Sequence, residues 1–188
     1  TTTSRTVLVG NNAGTAINST DAIGTIAIGH SAGSAITEGV GSVVIGYQAA
    51  EIMTTADYNT IIGYQAGGFG AVGLTTSGYN TAVGYQALGA SSADAITTNG
   101  YNACFGYHAG YDLQEGAHGN TLVGSTAGLA VTTGYQNTVL GRQALEGLTT
   151  GIKNTSLGQG SGYAATTASG SVFIGKDAGA TLSTGNQN

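Results

Sequence analysis

One glycine recurs along the whole 188-residue chain in a fixed setting: Gly10, Gly29, Gly46, Gly63, Gly84, Gly106, Gly124, Gly141, Gly158 and Gly175. Successive copies lie 17 to 22 residues apart, and the consensus around them reads Asn-Thr-x-x-Gly-Tyr-Gln-Ala-Gly. A unit this short cannot bury its own apolar side, whereas stacked units can. The chain therefore reads as a single repeat array over 1–188, and it is expected to be a segment of a longer fibre.

The residue before each glycine is bulky and apolar (Val9, Ile28, Ile45, Ile62, Val83, Phe105, Val123, Leu140, Leu157, Ile174). Two places earlier stands a β-branched residue or Ala: Val7, Ile26, Val43, Thr60, Thr81, Ala103, Thr121, Thr138, Thr155, Val172. Side chains alternate along a strand, so these two columns share a face, and they are expected to form the core. β-Branching and frequent glycine both favour strand over helix. Ten places before the next glycine stand Ile36, Met53, Leu74, Ile96, Val131, Leu148 and Ala165, often followed by a Thr pair such as Thr132-Thr133. These segments predict a second strand in each coil. The extra residues of the longer units, around Gly67 to Gly73 and Gly89 to Ala95, predict surface loops.

Stacking implies ladders. Asn59, Asn80, Asn102, Asn120, Asn137 and Asn154 stand four places before the glycine, where amides in a column hydrogen-bond to one another. Alanine, from Ala13 to Ala178, stands three places after it, with Ser161 as the small substitute in the ninth unit. At ~4.8 Å per coil, ten coils make a rod of about 50 Å. The column between the two expected core positions is also apolar: Leu8, Ala27, Val44, Ile61, Ala82, Cys104, Leu122, Val139 and Phe173, with Ser156 the one polar member. A strand apolar on both faces is covered on both. Leu8, Val44, Ile61, Leu122, Val139 and Phe173 are thus expected to form an interface stripe between copies of the chain. A homotrimer is expected, because a thin two-stranded coil makes a wedge.

Composition removes other classes. Four basic against nine acidic residues, at net charge −5, cannot meet a phosphate backbone, so no nucleic-acid partner is expected. The longest apolar runs are too short for a membrane-spanning helix, so no direct membrane insertion is expected. One cysteine, Cys104, gives neither an intrachain disulfide nor a thiolate cluster. The acidic residues are scattered; Asp112 with Glu115, and Glu38 with Glu51, are the nearest approaches to a carboxylate pair, and they read as solvated turns. His30, His108 and His118 fall at different places and form no ligand set. Gly158-Gln159-Gly160-Ser161-Gly162 resembles a nucleophile elbow but sits in the repeat register. No catalytic residue, cofactor or metal site is therefore assigned, and the chain is expected not to be an enzyme. Tyr47, Tyr64, Tyr85 and Tyr107 directly follow four consecutive repeat glycines, and they form the candidate glycan-contact ladder.

The units Asn59-Thr60-Ile61-Ile62-Gly63-Tyr64-Gln65-Ala66-Gly67 and Asn80-Thr81-Ala82-Val83-Gly84-Tyr85-Gln86-Ala87-Leu88 resemble repeats of bacteriophage tail-fibre proteins. They are also similar to head repeats of trimeric autotransporter adhesins, although those units are usually shorter. The resemblance implies an all-β fold, a parallel β-solenoid or β-roll packed as a homotrimer. It further implies an extracellular or virion-surface location and a role in attachment to a host or surface, with a cell-surface glycan as partner. The alternatives are an ice-binding β-solenoid, suggested by the Thr pairs, and a polysaccharide-cleaving tailspike.

Overall fold

A computed structural model describes residues 5–17, 23–69, 72–73, 75–89 and 100–185. Leu74, Ile96, Asp21, Asp94 and most of the second expected loop lie outside these residues. The chain forms an all-β parallel solenoid of about nine turns. Its strands are β1 (Val7–Val9), β2 (Ile26–Ile28), β3 (Val43–Ile45), β4 (Thr60–Ile62), β5 (Gly68–Phe69), β6 (Val72–Gly73), β7 (Thr81–Val83), β8 (Ala103–Phe105), β9 (Thr121–Val123), β10 (Thr138–Leu140), β11 (Thr155–Leu157) and β12 (Val172–Ile174). Ten of them form one parallel sheet in chain order, β1-β2-β3-β4-β7-β8-β9-β10-β11-β12. The register is that of the repeat: Ile61 pairs with Ala82, Ala82 with Cys104, and Cys104 with Leu122. The first longer unit spends its extra residues on the β5–β6 antiparallel hairpin.

The repeat glycines keep the coils in phase for two reasons. Gly46, Gly63 and Gly84 all hold φ of 139°, a region closed to side chains. A Cβ on Gly63 would also stand 2.2 Å from the carbonyl oxygen of Gly84 in the next coil. Neighbouring coils therefore touch backbone to backbone at this corner.

The strand faces are the reverse of the expected ones. Val44, Ile61, Leu122 and Val139 are fully buried within a single chain, and Phe173 nearly so. The expected interface stripe is thus this chain's own core, and only Leu8, on β1, is open at 42 %. The two columns expected inside point outward instead, as shown by the exposure of Val7, Val9, Leu140, Leu157, Val172 and Ile174. The reason is room. A coil this short encloses a core about one side chain thick, and the middle strand residue shares its parity with the buried Asn column. Across the coil the inward column meets the residues seven places after the glycine. Leu122 and Val131 converge on Gly128, where an added Cβ would lie 2.9 Å from Leu122 and 3.3 Å from Val131.

The expected second strand is absent among the described residues. Ile36, Met53, Val131, Leu148 and Ala165 are buried, yet they sit in turns and irregular backbone. The cause is local: each coil places positive-φ residues at several corners, for example Gln48 (51°), Ala50 (45°) and Tyr58 (55°) in successive positions around one coil. Extended runs cannot pass through such residues.

Two interior ladders tie the coils together. Asn154 N–H donates to Asn137 Oδ1 at 3.0 Å, and Asn137 N–H donates to Asn120 Oδ1 at 3.0 Å, so each side chain replaces a backbone acceptor of the next coil. The same amide reaches across the core, Asn137 Nδ2 donating to the Gly151 carbonyl at 2.9 Å. Ser42 and Ser171 hold the same place in coils that lack the Asn, and Asn59 N–H donates to Ser42 Oγ at 3.2 Å. The Ala column is buried from Ala13 to Ala144, with the buried Ser161 in its ninth place, and only Ala178 is partly exposed.

Candidate functional site

The outer surface is organised by the same columns. Tyr47, Tyr64, Tyr85 and Tyr107 stack with ring centroids 5.2, 5.2 and 5.3 Å apart and planes within 15° of parallel. His30 extends the stack at 5.0 Å from Tyr47. Its membership was readable, because it directly follows Gly29, but a Tyr-only consensus hides it. A second ladder, Tyr58–Tyr79–Tyr101, stacks at 5.3 and 5.2 Å on the other flank of the strands. His118 and Tyr135 form a separate pair at 4.7 Å.

This geometry changes what the Tyr column can do. In an isolated aromatic platform the ring face is open to a pyranose ring. Here the faces are turned toward one another along the rod, so inner rings offer solvent mainly edges and phenol hydroxyls. Contact with a sugar on this ladder would rest on hydrogen bonds from the hydroxyls rather than on face stacking.

Beneath the ladder runs an amide column that the sequence reading did not single out. Gln86 Nε2 donates to Gln65 Oε1 at 2.9 Å, Gln65 Nε2 to Gln48 Oε1 at 2.9 Å, and Gln48 Nε2 to the Glu51 carboxylate at 3.2 Å. His108 continues it, its Nε2 lying 2.7 Å from Gln86 Oε1. Gln86 already donates through its nitrogen, so its oxygen accepts and His108 Nε2 carries the proton. The ring packs on Tyr107 at 4.0 Å and Tyr111 at 4.6 Å. Desolvation lowers the His108 pKa, and the nearby Asp112 carboxylate opposes this. Desolvation, Asp112 and the neighbouring phenols raise that of Tyr111.

Other reactive side chains are occupied structurally. Burial pushes the Cys104 thiol up to about 12, which keeps it protonated and inert. Ser161, the centre of the Gly-Gln-Gly-Ser-Gly run, bonds Ser156 and the Gly158 carbonyl, and is fully buried. Glu51 ends the amide column, and no group of three His, Cys, Asp or Glu able to hold a metal ion occurs among the described residues. No helix of the described residues is long and apolar enough to cross a membrane. Compared with known family models, curated proteins and solved structures, the chain matches none.

The most extensive feature is the outward face of the ten-stranded sheet. The column just before the glycine is apolar in every coil, from Val9 through Ile62 and Val123 to Ile174. Beside it, two places earlier, stand Thr60, Thr81, Thr121, Thr138 and Thr155. The first members of the Thr pairs, by contrast, are used within the fold: Thr132 Oγ1 donates to the Thr149 carbonyl at 3.2 Å and Thr149 Oγ1 to that of Thr166 at 2.9 Å.

Proposed function

We propose that the protein is a structural and adhesive fibre segment, of the tail-fibre or surface-appendage kind, that packs along its length against copies of itself and attaches to a host or surface. The observation that carries this reading is the outward apolar column, unbroken over ten coils, on a rod whose core is already filled by other residues. A stripe of this length on a soluble rod is an interaction surface. In this reading the outward column, and not the buried Val44, Ile61 and Val139, packs between copies, three chains covering one another's stripe in a homotrimer. The rod acts mechanically: ladders of backbone and amide hydrogen bonds hold its shape, and function lies in presenting surfaces rather than in catalysis. Attachment falls to the Tyr hydroxyl ladder, an extracellular or virion-surface setting and a cell-surface glycan being the matching location and partner.

The test is sedimentation and SDS resistance of the chain beside its Ile62→Glu/Val123→Glu variant. A mass of three chains that falls to one in the variant, with the β signal retained, supports the reading. A wild-type chain that sediments as one unit removes it.

A second reading has one observation in its favour. Thr60 and Thr81, and after Ala103 the run Thr121, Thr138 and Thr155, stand in one column on the outward side of the sheet, the kind of Thr row a water-ordering, ice-binding face uses. Thermal hysteresis that disappears on Thr121→Leu/Thr138→Leu would select this reading; its absence would dispose of it.

A further inference from the structure

The second Tyr ladder has two unlike ends. Its column stands five places before the repeat glycine and reads Gly24, Gly41, Tyr58, Tyr79, Tyr101, Gly119, Gln136, Lys153, Gly170. Every member holds a positive φ, between 55° and 80°. Glycine suits such a corner, whereas a bulky ring there is strained, and strained residues gather at sites of function. Tyrosines in three successive coils hold that strained backbone with their rings on the surface.

At the end toward β1 the ladder is closed. Tyr58 leans over Gly41, where an added Cβ would lie 3.0 Å from its ring. At the other end no ring follows Tyr101. Gly119 is next in register, its N–H donating to the Gly100 carbonyl at 3.2 Å, and it brings no side chain. Among the described residues, a Cβ on Gly119 would find only Gln136 Cγ, at 3.6 Å, from the coil beyond, and no atom of Tyr101 within 4 Å. Exposure agrees: Tyr58 and Tyr79 are 52 % and 53 % exposed, but Tyr101 is 69 % exposed, the added area being its uncovered face.

The gap has the size of one further rung. Two coil steps of ~4.8 Å, about 9.6 Å, separate the places of Tyr101 and Gln136, and rings of this ladder already stack at 5.3 and 5.2 Å. One ring laid on Tyr101 therefore fills the space and brings its rim to Gln136. The Gln136 side-chain amide makes no hydrogen bond among the described residues, and it offers both donors and an acceptor. A bare aromatic ring would use the Tyr101 face and leave this amide idle. A hydroxylated ring with one C–H face uses both.

We propose that the notch between Tyr101 and Gln136 binds one hexopyranose ring of a surface glycan, stacked by its C–H face on Tyr101 with Gly119 as the floor. This rests on the adhesive reading above and adds a sugar contact of another kind: the first ladder offers hydroxyls, and Tyr101 offers a ring face.

The test titrates the full chain with methyl β-glucoside, methyl β-galactoside and, as a bare-ring probe, phenol. NMR follows the tyrosine ring signals and those of the probe. A sugar should shift the Tyr101 signals, and Tyr101→Phe, which keeps the face, should retain the affinity. Tyr101→Ala should lower it roughly five- to tenfold, the worth of one ring stack. Gly119→Tyr should give the same loss with the fold intact, because Tyr101 already holds the φ of 62° that matches the 64° of Gly119, and the new ring takes the place of the sugar. Tyr58→Ala, at the closed end, should leave the affinity unchanged. Sugar binding that survives Tyr101→Ala and Gly119→Tyr but falls in Tyr64→Phe/Tyr85→Phe would overturn the notch and leave the adhesive reading standing. Binding of phenol and of neither sugar, or of no probe at all, would overturn it too. Sedimentation reads the trimer separately, so failure of the notch and failure of the fibre reading are told apart.

Discussion

Ser156 and Ser161 bond to each other in the ninth coil. Ser156 is the one polar member of the inward strand column, and Ser161 is the one departure from Ala in the column it faces. Each Oγ also lies within hydrogen-bond distance of a backbone carbonyl, Ser156 Oγ 3.0 Å from that of Ser161 and Ser161 Oγ 2.9 Å from that of Gly158, so one hydroxyl proton makes the Ser–Ser bond and the other goes to a carbonyl. The two exceptions to the repeat thus answer one another. A buried hydroxyl that loses its partner is costly, while removing both can be nearly neutral. Ser156→Ala and Ser161→Ala should each destabilise by about 1 kcal/mol, and the double variant by less than the sum. Thermal melts of the four proteins measure the coupling, and strict additivity would mean that the pair is not a unit.

The Asn ladder makes a graded prediction. Asn137→Ala strips the acceptor from the buried Asn154 N–H and the donor from the Gly151 carbonyl, so a loss of about 3 kcal/mol is expected, one to two orphaned groups at 1–3 kcal/mol each. Asn137→Ser should recover part of this, because Ser42 already serves Asn59 N–H from the same place. Denaturant midpoints in the order wild type, Ser, Ala check the assignment.

Glycines of this chain are not equivalent. Gly84 at φ 139° would bring a Cβ within 2.4 Å of the Gly106 carbonyl oxygen, so Gly84→Ala should prevent the coils from closing and abolish the cooperative melt. Gly116, at φ 99°, has nothing within 4 Å of such a Cβ, so Gly116→Ala should cost only the local strain of about 1–3 kcal/mol. Circular dichroism and melting of the two variants provide the comparison.

His108 supplies a pH signature. Its pKa is lowered in the fold, chiefly by desolvation, so folding favours the neutral ring. The contribution to stability is full above the unfolded value of about 6.5 and is lost as pH falls below it toward the folded value. His108→Gln keeps a donor for Gln86 Oε1, in the manner of Gln86 toward Gln65, and removes the titration. Between pH 7 and pH 5 the melting temperature of the wild type should therefore fall more than that of His108→Gln.

Much of this architecture was legible because stacking converts sequence columns into physical ladders. The glycine register, the parallel pairing, the Asn and Ala columns and the stacked Tyr rings all follow from residues recurring at one place. The orientation of the strand was not, since Val43-Val44-Ile45 is equally apolar on both faces. The parity of Asn59 with Ile61 held the answer: a ladder of amides bonded to backbone is buried, and the strand residue two places on points the same way. Thr60 and Thr81, always beside and never within the inward column, say the same. The second strand misled because Ile36 and Met53 mark burial, whereas the positive-φ corners at Gln48, Ala50 and Tyr58 are set by backbone geometry that a β-like composition conceals.

The central claim is that the inward column belongs to each chain's own core and the outward one to its contacts. Native Cys104 lies in the inward column and reports on this directly. A thiol reagent applied to the wild type and to Ile62→Glu/Val123→Glu should leave Cys104 unmodified in both until the fold is melted. Rapid modification once copies are separated would place Cys104 and its column between chains, and would contradict the account.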